Sequence, residues 1–226
     1  MGSYRLRRFI AVLVVLLLTS IPLSKAAWQF PTLDTLIQTD GGGLTDDAAW
    51  PELSAMEVKG RAPKTGYERS QFGNGWDTTQ GCTTRNRILA RDLTNVVLDD
   101  ECKVVSGTLN DPYTGKIIPF TKGEATSDDV QIDHVVALSN AWQTGAQAIG
   151  YAQRVMFAND PLNLLAVSGP ANEQKSDSDA ASWLPSNKSF RCTYVKRQLA
   201  VKAKYKLWLT PPEHDAMARI LKSCSL

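Results

Sequence analysis

Apolar residues fall into blocks of different period along this chain, and the blocks predict its elements. An unbroken apolar run from Phe9 to Leu18 follows Arg5, Arg7 and Arg8 and precedes Pro22, Ser24 and Ala26. A basic start, an apolar run too short to span a bilayer and small residues after it predict a secretory signal peptide over 1–26, cleaved after Ala26. Residues 27–66 mix acidic and turn-forming residues, Gly41-Gly42-Gly43 and Pro63 among them, and read as a loosely ordered leader with one short helix from Asp47 to Val58. The remainder, 67–226, reads as one domain. Thr84 to Leu93 has helical spacing, and Cys102 to Thr121 alternates around Asp111-Pro112-Tyr113-Thr114-Gly115, which predicts a hairpin with a longer loop. Ile132, Val135 and Val136 flank Asp133-His134 and favour a strand. Leu164 to Val167 is a second strand, opening on Asn163; Ser168-Gly169-Pro170 is a turn into a polar helix. Between the strands, Leu138, Trp142, Ala146, Ile149 and Val155 are spaced as on a helix running to Ala158. Lys188 to Lys206 predicts a basic helix with Tyr194, Leu199 and Ala203 inward and several cations outward.

Charge and cysteine content narrow the class. Four of the 25 basic residues (Arg5, Arg7, Arg8, Lys25) and no acidic one lie in 1–26, leaving 21 basic against 23 acidic groups, a net charge of −2. Attraction to a polyanion must then come from a local patch. Four cysteines in an exported chain read as two disulfides, with three pairings open. Cys82 with Cys102 and Cys192 with Cys224 are favoured because each bridge closes a local unit. No Cys-x-x-Cys is present, which disfavours structural zinc. Gly-x-Ser-x-Gly and His-Glu-x-x-His are also absent, which removes two hydrolase classes.

The chemistry concentrates at Asp133-His134, one of whose members is one of only two histidines in the chain. A strand carrying Asp-His, a second strand opening on Asn163, and a helix bearing Asn172 nine positions later form a ββα unit. This arrangement resembles the HNH nuclease family, in the variant whose last motif residue is Asn, with Lys175 following three residues on. The resemblance extends to secreted bacterial HNH-type endonucleases, of the GmrSD C-terminal-like kind, through Cys82-Thr83-Thr84-Arg85, Arg91-Asp92, Ser106-Gly107, Asp111 to Gly115 and Phe157 to Pro161. Trp183-Leu184-Pro185, Cys192-Thr193-Tyr194 and Cys224 complete it, over roughly 67 to 226.

The resemblance implies an α+β fold with a ββα-metal (HNH, His-Me finger) core, embedded in additional helices and a β-hairpin and stabilised by disulfides. It implies a secreted, monomeric, metal-dependent endonuclease of low sequence specificity acting on DNA, with RNA as a second substrate. His134 is then the general base, for which an imidazole suits neutral pH. Asp133 and Asn172 offer hard oxygen donors suited to Mg²⁺ or Mn²⁺. Asn163 would hold the loop between the strands. Lys175, Arg85, Arg91, Arg154, Lys196 and Arg197 are candidate phosphate contacts, although Lys175 reads equally as a solvated helix lysine and Arg91-Asp92 equally as a structural ion pair. His214 reads as surface. The competing expectation is an exported binding or adhesion module on the same fold without catalysis.

Overall fold

The computed structural model of the protein describes residues 46–123 and 127–224, so the expected signal peptide, its cleavage point and the start of the expected leader lie outside the described residues. Helix α1 (Asp46–Ala55) falls close to the predicted one. Ala49 and Leu53, four apart and therefore on one face, are buried with Tyr194, Leu199, Met217 and Leu221. Beyond α1 the backbone pairs with a distant segment: Lys59 N donates to Leu209 O and Leu209 N to Glu57 O, both at 2.9 Å. The reading of a loosely ordered leader is therefore corrected from Asp46 to Gly66. Two apolar positions and several backbone groups find their partners near the far end of the chain, where local composition gives no hint of them.

Residues 61–76 continue as a strap. Ala62 N donates to Gln143 O (2.8 Å) and Trp142 Nε1 to Thr65 O (3.3 Å), and a 3-10 turn, Arg69–Phe72, buries Phe72 against Trp142 and Phe157. Strands β1 (Thr78–Thr79) and β2 (Cys82–Thr83) close on the two-residue loop Gln80-Gly81. Its φ values of 52° and 81° are those such a loop demands. Helix α2 (Thr84–Asp92) begins where predicted, capped by the Thr83 hydroxyl accepting from Asn86 N. With Ile88 and Leu89 it covers an antiparallel sheet of β3 (Leu93–Leu98), β4 (Val104–Asn110) and β5 (Ile117–Thr121). The last two strands are the expected hairpin. In its turn the buried Asp111 carboxylate accepts from Thr114 N and from Ser168 N, both at 2.9 Å, pinning the hairpin to the element that carries Ser168.

Strand β6 (Val130–His134) leads into α3 (Leu138–Ala141), which passes into a π turn, Trp142–Ala146. The helix predicted to run to Ala158 breaks here, and α4 (Tyr151–Asn159) starts afresh. Gly145 has φ 130°, open to glycine alone, and Leu207 and Trp208 pack 3.3 Å from where its Cβ would stand. A 3-10 turn, Pro161–Asn163, then precedes β7 (Leu164–Ser168), so Asn163 lies just before the strand it was expected to open. β7 runs antiparallel to β6, with Leu165 opposite Asp133 and Leu164 opposite His134. Helix α5 (Gly169–Lys175) follows at once, because Gly169 lets the backbone pass where a Cβ would lie 1.9 Å from Asp128 O.

Helices α6 (Arg191–Lys204) and α7 (Pro211–Cys224) complete the mixed α+β architecture. Thr210 and Glu213 form a reciprocal capping box at the start of α7, each side chain accepting from the other's backbone N at 3.3 Å. Both favoured disulfides are formed, Cys82–Cys102 and Cys192–Cys224. No helix among the described residues is long and apolar enough to cross a membrane.

Candidate functional site

The strand pair and α5 open onto a cavity of about 650 Å³, lined from β6 by Gln131, Asp133 and His134, from α5 by Asn172, from α2 by Arg85, and from the strap by Lys64, Tyr67 and Arg69. His134, at the end of β6, is 7% exposed. Its Nε2 lies 2.9 Å from Ala158 O, and a carbonyl only accepts, so Nε2 carries the proton and Nδ1 keeps its lone pair. The Trp76 indole stacks on the ring, with centroids 5.7 Å apart and planes 13° from parallel. Burial pushes the imidazole pKa down to about 4; the Ala158 carbonyl and Asp133 pull the other way, and Arg69 and Lys175 add to the depression. The ring is therefore neutral at neutral pH.

Asp133 is buried at the same strand end. Lys175 Nζ donates to its Oδ1 at 2.9 Å, and the Tyr113 hydroxyl donates to its Oδ2. Burial, followed by the Asp133 charge, raises the Tyr113 pKa well above its ordinary value, so the phenol keeps the proton it donates. Lys175, 0% exposed, also donates to His134 O at 2.9 Å, so one ammonium ties α5 to both members of the pair. The burial of Lys175 departs from both readings of it, as a phosphate contact and as a solvated lysine. A lysine that ends a short polar helix reads as solvated, and only the crossing of α5 over β6 shows it to be interior.

Asn172 Nδ2 donates to Gln131 Oε1 at 2.8 Å, which leaves Asn172 Oδ1 without a partner among the described residues, at the cavity wall. Asn163 holds the loop after β6, as the resemblance implies: its Oδ1 accepts from Val136 N (2.8 Å) and its Nδ2 donates to Val136 O (3.3 Å). It is fully buried and is not among the residues that line the cavity.

The candidate phosphate contacts separate sharply. Arg85 lines the cavity, its Nη2 shared between Val130 O (3.2 Å) and Ser127 O (3.4 Å), and burial lowers its pKa. Arg91 makes a paired contact with Asp92 and donates to Pro161 O (2.9 Å) and Leu164 O (2.7 Å). Arg197, 5% exposed, donates to Leu162 O (2.7 Å), Pro161 O (2.7 Å) and Leu164 O (2.9 Å). Burial, then repulsion from Arg91, pushes its pKa down to about 10. Both arginines therefore clamp the turn that presents Asn163, and neither meets solvent phosphate. Arg154 is spent on Gln71 O (2.9 Å), on Ile149 O and on the face of Trp142. Lys196 is half-buried on α6 and outside the cavity wall. Nor do all cations of the basic helix point outward, since Lys202 is buried against Glu213 at 2.7 Å. The residues the sequence did not single out are Tyr113, Trp76, Lys64, Tyr67 and Arg69. Tyr113 was visible only as part of a turn, and the others belong to a strap whose course depends on tertiary contacts.

Among the described residues no three His, Cys, Asp or Glu side chains gather to hold a metal. Of the oxygen donors at the cavity, the Asp177 carboxylate is engaged by Lys64 and Ser139 and Gln131 Oε1 by Asn172; Asp133 keeps second lone pairs on its carboxylate, and Asn172 Oδ1 has no partner among the described residues. Two hard oxygens fit a divalent ion that keeps most of its water, and do not fit a soft-metal site.

The family model described as the C-terminal domain of GmrSD restriction endonucleases matches residues 83–220. The chain is 40% identical over 175 residues, 76% of its own length and 82% of the relative's, to a protein of Arthroderma benhamiae named "uncharacterized secreted protein". No solved structure matches. The matched span runs from the N-cap of α2 to the last turns of α7 and so contains His134, Asp133, Asn163 and Asn172, which places the chain in the family of GmrSD restriction endonuclease C-terminal domains.

Proposed function

We propose that the protein is an exported, divalent-cation-dependent endonuclease that hydrolyses phosphodiester bonds of DNA or RNA on an HNH-type strand–strand–helix core. The observation that carries this is the state of His134: a neutral imidazole, its tautomer set by Ala158 O, at the edge of a cavity lined by two arginines and by the hard oxygen donors of Asp133 and Asn172. Nδ1 of His134 takes the proton of the water that attacks phosphorus. A bond forms from the water oxygen to phosphorus as the bond to the 3′ oxygen breaks. Asp133 and Asn172 would hold the cation, which supplies charge relief at the phosphoryl and departing oxygens when bound. Lys175 and Tyr113 hold the Asp133 carboxylate in place through hydrogen bonds, and Asn163 keeps the loop after His134 in place. The two disulfides and the name of the Arthroderma benhamiae relative support export.

One observation favours a second reading, a binding module without hydrolysis: Asp133 is already neutralised by Lys175. Incubating plasmid DNA and a labelled RNA with the purified mature chain, with Mg²⁺ or Mn²⁺ and with chelator, separates the two. The nuclease reading expects cation-dependent cleavage that His134→Ala abolishes. Cleavage by the His134→Ala chain at the wild-type rate, or none by the wild type with either ion, overturns it.

A further inference from the structure

Most cations around the site are already engaged. Lys175 neutralises Asp133, Lys64 pairs with Asp177 at 3.1 Å, and Arg61 with Asp179 at 2.7 Å. Arg91, Arg154 and Arg197 are fixed on carbonyl groups of the fold, and Arg85 is half-buried and partly committed to two more. Arg69 differs. Among the described residues its guanidinium makes no hydrogen bond and no ion pair, yet it is close enough to His134 and Tyr67 to act on both electrostatically.

Its place is also distinctive. Beside the main cavity lies a smaller one of about 60 Å³, bounded by Phe72, Gly73, Gly75 and Trp76. The two share Arg69, His134 and Leu138, so Arg69 stands at the neck where they meet, next to the imidazole. Its backbone is held on both sides, by Tyr67 N donating to Lys64 O (3.0 Å) and by Phe72, 2% exposed, packed in the apolar cluster with Trp142 and Phe157. An arginine with an uncompensated charge and its fork of donors unused, on an anchored backbone beside a general base, is matched by a phosphodiester anion.

We propose that Arg69 binds the reacting phosphate of a nucleic-acid strand, holding it across the neck from His134, with Arg85 on the opposite wall as its lesser partner. This rests on the nuclease reading above. The strap is thereby part of the active site, although the expected phosphate contacts lay on α2, α4, α5 and α6.

The test separates this assignment from the function on which it rests. Affinity for a labelled oligonucleotide is measured over a range of salt with the His134→Ala chain and with the same chain also carrying Arg69→Ala or Arg69→Lys. Removing the guanidinium should weaken binding about tenfold and reduce the log–log salt slope by about 0.7 to 0.9, one phosphate's worth, while Arg69→Lys keeps the slope. In the otherwise wild-type chain, Arg69→Ala should lower the cleavage rate at an unchanged melting temperature, since no hydrogen bond of the fold is lost. Binding and cleavage by the parent chain, with slope and rate unaffected by Arg69→Ala, overturn the assignment and leave the nuclease reading standing. A wild-type chain that neither binds nor cuts nucleic acid removes both.

Discussion

Lys175 decides more at this site than its place in the sequence suggests. Its ammonium is the sole cation hydrogen-bonded to the buried Asp133 carboxylate among the described residues, and it reaches the His134 carbonyl as well. Removing one member of a buried ion pair strands the other, which costs about 3 to 5 kcal/mol. A Lys175→Met chain should therefore lose roughly that much stability in urea denaturation while keeping the wild-type salt slope for oligonucleotide binding. A change of slope at unchanged stability would return Lys175 to the substrate surface. His134 leads to a pH prediction. Its native pKa, about 4, is below its unfolded value of 6.5, so in that window the unfolded chain binds a proton that the native chain refuses. Stability is fully present above about pH 6.5 and falls as pH drops towards 4, by up to about 3 kcal/mol. Melting temperatures of His134→Gln should depend less steeply on pH across that window than those of the wild type; parallel curves would show that burial does not hold the ring neutral. That Asp133, His134 and Asn172 fall on one cavity, with Asn163 bonded to the loop after His134, follows from motif spacing that fixes their relative places. Tyr113 and Lys175 were not legible in this way, because their partners are set by how a hairpin and a short helix cross β6.

At the level of elements, local pattern located β6, β7, α2, the β4–β5 hairpin and both disulfides, since each is specified by residues close together in sequence. It failed over Leu138–Ala158, where helical spacing continues through a chain that bends. Apolar period reports which face is buried and is blind to one glycine adopting φ 130°. Substituting two glycines of this region tests that account. Gly145→Ala forces a side chain into the left-handed region, with Leu207 and Trp208 in its way, and should destabilise by about 1 to 3 kcal/mol. Gly150 has φ −65° and nothing within 4 Å of its Cβ position, and alanine at this N-cap of α4 loses the cap preference of glycine, so Gly150→Ala should change stability by less than about 1 kcal/mol. Thermal melts decide, and equal losses at the two sites would mean the break has another cause.

For the molecule as a whole, the boundary expected at residue 67 cuts through a packed structure. A chain starting at Tyr67 would lose α1, with Ala49 and Leu53, as well as the pairing of Glu57 and Lys59 with Leu209 and the Arg61–Asp179 ion pair. It should melt well below a chain starting at Asp46, and oligonucleotide binding should weaken because the strap loses its upstream anchor. Equal melting temperatures for residues 46–226 and 67–226 would restore the sequence-based boundary. The anchored strap also bears on how tightly the cavity can hold a ligand. Fixing one residue's backbone costs about 1 to 2 kcal/mol of conformational entropy. Here the turn from Arg69 to Phe72 is ordered by Phe72, Trp142 and Phe157 before any ligand arrives. That cost falls on folding rather than on association, so contacts made by Arg69 act as those of a preformed receptor and need no closing loop to become effective.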